Sequence, residues 1–268
     1  MDAMVCETFI YLARKTWQQM QRNHDTGILV REEAITSTNL QELKIAHSDR
    51  IKIRDFSVHE ESKKTGADWE WWFLDKDTNE AIGFAVQAKR LNSGSYDVGY
   101  EPENNPPQIE TLLNYCADVG DITPLYCWYN YFPQWEELRD EWGCALADGY
   151  YVYSRHVKKQ YSLKDLIPNS IPWHQLVCGF DRSGVTHIYK VASAMAMHAS
   201  VPAVALPGKV QISPEIHTTG LPQRVLDMLS TKGKGKSLIQ KDPPVPYPGG
   251  LIIIERRRPK SDRFESFE

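Results

Sequence analysis

The sequence predicts an α/β protein with a mixed central β-sheet flanked by helices, and three observations carry that prediction. An amphipathic helix opens the chain, because Val5, Phe9, Leu12, Ala13, Trp17 and Met20 recur at three- and four-residue spacing between Val5 and Arg22. Two aromatic and apolar strands follow, Trp69 to Leu74 and Ala81 to Leu91, joined by the turn chemistry of Asp75 to Glu80. The pattern then alternates: a helix from Gln108 to Ala117 starts behind Pro106 and Pro107, and Thr123 to Phe132 is strongly β-prone.

The remaining elements are weaker signals. Glu32 to Ala46 reads as a second helix, with Ser37 or Thr38 as a cap before Leu40, and the KIRDF segment that follows as a short strand. Asn92 to Pro107 is rich in Asn, Ser, Gly and Pro and reads as a loop beside the hairpin. Beyond it, Trp135 to Trp142 reads as a short helix and Gly149 to His156 (GYYVYSRH) as a strand. Ile171 to Gly179, His187 to His198 and Leu221 to Leu229 read as further helices, and Gly249 to Ile254 as a strand. The core is placed in residues 1–165, and residues 166–268 form a partly loop-rich C-terminal extension packing on it.

Composition narrows the function classes. The 268 residues are 41% hydrophobic and 25% charged, which suits a soluble globular protein. A formal charge of −4 leaves room for a nucleic-acid surface only as a local basic patch. The five cysteines are scattered and contain no CxxC pair, which argues against a disulfide framework or structural zinc and for a reducing, cytoplasmic setting. No apolar run approaches a membrane span, no basic-then-apolar leader opens the chain, and the histidines form no zinc motif. Gly235-Lys236-Ser237 is no phosphate-binding loop, since Ser230 stands where that pattern needs glycine.

Chemistry concentrates on the hairpin. Side chains alternate between sheet faces, so Asp68, Glu70 and Trp72 share one side while Trp69, Trp71 and Phe73 share the other. Gln87 and Lys89 share a face of the second strand. If those polar faces coincide, three oxygen-bearing groups and one ammonium converge. A hard divalent cation such as Mg²⁺ or Mn²⁺ wants oxygen ligands, and a nearby lysine can neutralise charge developing on a phosphate.

Gly66-Ala67-Asp68 at the head of one strand, followed by Gln87-Ala88-Lys89-Arg90 on the next, resembles the PD-(D/E)XK nuclease superfamily. Within it the likeness is to the QxK branch that includes the Mrr-type restriction endonucleases. The resemblance implies a restriction-endonuclease-like core and a catalytic set of Asp68, Glu70, Gln87 and Lys89. It implies a metal held by Asp68, Gln87 and an upstream acid, for which Glu61 is preferred. Gln108 on the next helix is implied near the substrate. The implied activity is metal-dependent hydrolysis of nucleic acid, DNA favoured, in a restriction or anti-phage setting, and a homo-oligomer or an activating partner protein is compatible with it. Gln87 departs from the commoner acid and offers a neutral oxygen only. Lys158 and Lys159 either track a phosphate backbone or form a solvated face. The competing reading is a catalytically degenerate nuclease scaffold that binds nucleic acid without cutting it.

Overall fold

A computed structural model describes residues 4–102, 105–134, 139–198, 219–220 and 222–230. The N-terminal periodicity produces α1 (Val5–Thr26), which buries Val5, Phe9, Leu12, Ala13 and Met20. Next come α2 (Glu32–His47) and β1 (Ile51–Asp55), then a short helical segment, α3 (Val58–Glu60), continuing as a π-helical turn over Glu61–Thr65. The hairpin is β2 (Trp69–Asp75) and β3 (Glu80–Arg90), followed by α4 (Gln108–Val119) and β4 (Ile122–Tyr129). The chain continues through β5 (Cys144–Asp148), α5 (Gly149–Val157), α6 (Leu163–Leu166) and β6 (Ser170–Pro172). It then forms α7 (Trp173–Val177), α8 (Phe180–His198), β7 (Thr219–Gly220) and α9 (Gln223–Ser230).

Among the described residues the sheet is mixed and seven-stranded, in the order β1-β2-β3-β4-β5-β6 with β7 paired to β3. β1, β2 and β3 form an antiparallel meander. α4 then carries the chain across so that β4 lies parallel to β3, and β5 and β6 add antiparallel beyond it. This confirms the α/β class with a mixed sheet flanked by helices.

Alternation along the hairpin divides the core as expected. Trp69, Trp71 and Phe73 face one side, where Phe9 of α1 meets Trp71 at 5.6 Å between ring centroids and Trp173 of α7 at 4.8 Å. Trp72, Ala85, Tyr126 and Trp128 face the other side with Leu112 and Leu113 of α4. Trp72 fits there because its cross-strand partner is Gly83: a Cβ at that position would collide with the indole ring. The polar positions Asp68, Glu70, Gln87 and Lys89 follow the parity of Trp72 and Ala85, so they belong to the α4 face.

Several expectations are corrected. Gly149 to His156 is helical, not a strand; Asp148 caps it, accepting the Tyr151 amide at 2.9 Å, and the strand lies just before it in Cys144–Asp148. Helix capping and tertiary packing overrode the β-propensity of the tyrosines. α2 starts at Glu32, so Ser37 and Thr38 lie inside it, and Thr38 bonds back to the Ala34 carbonyl. The described end of the Trp135 to Trp142 segment is a 3₁₀ turn, Asp140–Gly143.

The described residues up to Ser230 form one compact unit, with β6 completing the sheet edge and α7 and α8 covering the α1 face. Lys232, Lys234, the Gly249 to Ile254 run and Arg256 to Arg258 lie outside the described residues. Cys6 on α1 and Cys178 after α7 are joined by a disulfide, a pairing 172 residues apart that spacing along the chain could not reveal. Cys116, Cys127 and Cys144 are buried. No helix among the described residues is long and apolar enough to cross a membrane.

The Asp148 cap titrates unusually. Burial raises its carboxyl to about 6, opposed by the Tyr151 and Tyr150 amides. A folded-state value above the unfolded one means the native protein binds the extra proton. Stability from this group is therefore present at low pH and declines as pH rises from the ordinary aspartate range through about 6. The full difference is worth about 3 kcal/mol at 1.36 kcal/mol per tenfold. Asp148→Asn keeps an acceptor for the cap and removes the charge. In urea unfolding at pH 5 and pH 8, its advantage over wild type should widen at the higher pH; an unchanged gap would contradict the assignment.

Candidate active site

The cluster is assembled from five elements. Asp68 opens β2: its amide bonds the Val86 carbonyl at 2.9 Å and its carbonyl accepts the Phe56 amide at 2.9 Å, locking it between β3 and the end of β1. Its carboxylate Oδ2 accepts the Ala88 amide at 2.6 Å and the Gln87 Nε2 at 2.7 Å. The same Gln87 nitrogen lies 3.1 Å from the Ala88 carbonyl, so two oxygens point at one position. Gln87 is fully buried, and its Oε1 has no hydrogen-bond partner among the described residues.

Glu61 comes from the π-helical turn and accepts a hydrogen bond from Gln108 Nε2 at the start of α4. Gly66 makes that approach feasible. Its φ is 63°, and a Cβ there would fall on the backbone of Leu112 and Gln108. Lys89 is only 8% exposed, and its ammonium lies 3.9 Å from the Glu32 carboxylate.

Glu32 is the residue that the sequence reading missed. It stands at the first turn of α2, and its Oε2 accepts the Arg90 amide at 2.6 Å, tying the helix to the end of β3. The available signal was an acid pair, Glu32-Glu33, opening the helix just before the first sheet strand.

Electrostatics treats these groups as a unit. Burial raises the Asp68 carboxyl well above the usual range, and the neighbouring Glu61 and Glu32 raise it further, against the Ala88 amide and Lys89. Burial also raises Glu61 and Glu32, with Lys89 the main opposing charge for each. Three carboxyls thus share one ammonium, and burial is the first cause of their raised values.

Three expected members lie elsewhere. Glu70 is fully buried, but its carboxylate takes the Tyr115 hydroxyl and the Trp72 indole N–H, within the packing of β2 on α4. Lys158 and Lys159 are exposed at the end of α5, with no contact to the cluster among the described residues. The structure therefore brings Asp68, Gln87, Lys89, Glu61 and Gln108 together, and leaves Glu70, Lys158 and Lys159 out.

The donor set suits a hard divalent cation. Mg²⁺ is usually bound by one or two carboxylates, with waters and phosphate oxygens completing its shell. Asp68, Glu61, the orphaned Gln87 Oε1 and the Ala88 carbonyl supply oxygen ligands only. Among the described residues no three His, Cys, Asp or Glu side chains form a preassembled metal group. A cleft of about 400 Å³, lined in part by Ser37, Lys44, Phe56, Glu61 and Asp68, opens the cluster to solvent.

The chain belongs to DUF6615, a family of unknown function whose model matches residues 5–259. No curated protein matches it.

Proposed function

We propose that the protein is a metal-dependent nuclease of PD-(D/E)XK type, hydrolysing phosphodiester bonds of nucleic acid, with DNA favoured. One observation carries the reading: Asp68, Gln87 and Lys89 converge on the α4 face of the hairpin, beside the carboxyls of Glu61 and Glu32. The antiparallel meander, crossover helix and parallel strand supply the continuation such a core requires.

A divalent cation, when bound, supplies Lewis acidity at the phosphate and activates water. The chain's own groups do the rest. Asp68, Glu61 and the Gln87 oxygen would hold the cation, with Gln87 turning its amide from the orientation that donates to Asp68. Lys89 presents a compact charge to the oxygens of the phosphate as charge builds there. Glu32 positions Lys89, and Gln108 positions Glu61. A restriction or anti-phage role belongs to the same reading. The Cys6–Cys178 link argues against the cytoplasm, because disulfides are rare in reducing compartments.

A second reading, a scaffold that binds nucleic acid without cutting it, is favoured by the Gln87 nitrogen rather than its oxygen facing Asp68. Incubating the protein with plasmid, linear DNA and RNA in Mg²⁺, Mn²⁺ or EDTA separates the two. Cleavage that needs the metal supports the nuclease; binding with no cleavage in either metal supports the scaffold.

A further inference from the structure

The residue after Lys89 opens a second cleft. The Arg90 backbone is held by Glu32, but its half-buried guanidinium makes no hydrogen bond or ion pair among the described residues. It lines a cleft of about 400 Å³ whose apolar surface includes Met20, Leu91 and Leu163 and whose wall includes His24 and Tyr131. Trp17 packs edge-on to Tyr131 at 5.2 Å between centroids, and His24 lies against it at 5.6 Å, so the tyrosine ring is braced rather than free to swing. Its hydroxyl has no hydrogen-bond partner among the described residues.

These groups call for a ligand with both a phosphate and a flat face. A guanidinium without a carboxylate partner recruits a phosphate. Aromatic rings over an apolar floor recruit a base, because stacking tolerates any base. A duplex keeps its bases stacked inside and presents mainly backbone and groove edges, which a concave cleft of this size cannot use; a single strand offers its base faces.

We propose that this cleft receives a nucleotide of the substrate strand, and that the substrate is single-stranded DNA at that point. Arg90 contacts its phosphate, and Tyr131 and His24 hold its base. This rests on the nuclease reading of the Asp68–Lys89 cluster; Arg90 follows Lys89 on β3 with its side chain on the opposite, α1 face of the sheet.

The test is fluorescence anisotropy of the full chain in EDTA, with a labelled short oligothymidylate and a duplex of equal length as probes. The single strand should bind more tightly than the duplex. Tyr131→Ala should weaken it by about tenfold or more, while Tyr131→Phe, which keeps the ring, binds as wild type. Arg90→Gln should weaken binding and flatten its salt dependence. Equal or tighter duplex binding, or unchanged affinity in Tyr131→Ala, overturns the proposal. EDTA separates the two claims: a protein that binds this way but never cleaves sinks the active-site reading alone. One that cleaves with Mg²⁺ but ignores Tyr131→Ala sinks the cleft alone.

Discussion

Lys89→Ala is expected to lower the cleavage rate by about 10²–10³-fold, the scale of losing one preorganised charge-stabilising donor, with the fold retained. Retention follows from the cluster's own chemistry. Asp68, Glu61 and Glu32 are already raised by burial, so on losing the ammonium they take up protons instead of forcing the site apart. Asp68→Asn should cost as much in rate. Asparagine is the better replacement than alanine, because an oxygen remains for the buried Ala88 amide, whose orphaning would cost about 1–3 kcal/mol. Single-turnover rates of variants with wild-type circular dichroism measure this. A wild-type rate in either one removes the site assignment.

Glu32→Gln carries the next largest effect. Glutamine keeps an acceptor for the Arg90 amide but removes the charge facing Lys89, so the strand end stays in place and the lysine loses its positioning partner. The rate should fall by about 10–100-fold, as for supporting partners of a metal site. The pH profile should move as well. Glu32 is one of the charges that raise the Asp68 carboxyl, so its removal lets Asp68 ionise at lower pH and shifts the acidic limb of activity downward. A residue that only held the fold would leave that limb where it is.

The part of the site legible in the sequence is the part that local periodicity controls. Asp68, Gln87 and Lys89 lie on adjacent strands of one hairpin, so alternation alone put them on one face, and the structure joins Gln87 to Asp68 at 2.7 Å. Glu70 obeys the same parity, but parity does not fix what lies above a strand. The α4 residue Tyr115 claims its carboxylate. Glu32 was invisible for the opposite reason: its contact with Arg90 spans 58 residues, and an acid in a first helical turn is explained by the helix dipole alone. In the fold, long periodic elements such as α1 and the hairpin were readable. Cys144–Asp148 was not, because four apolar residues followed by an aspartate are too short a run to carry a period, and the tyrosines after it imitate a strand.

The central claim is that the carboxyl cluster takes a divalent cation, and the most direct measurement is calorimetry of Mg²⁺ binding in two buffers of different ionisation enthalpy. Burial and mutual repulsion hold protons on Asp68, Glu61 and Glu32 at pH values where free carboxyls have lost them, and a cation must displace those protons to bind. The account predicts a single Mg²⁺ per chain, a heat that depends on the buffer, and loss of both in Asp68→Asn. Absence of Mg²⁺ binding by the wild type, or binding that Asp68→Asn leaves intact, would contradict it.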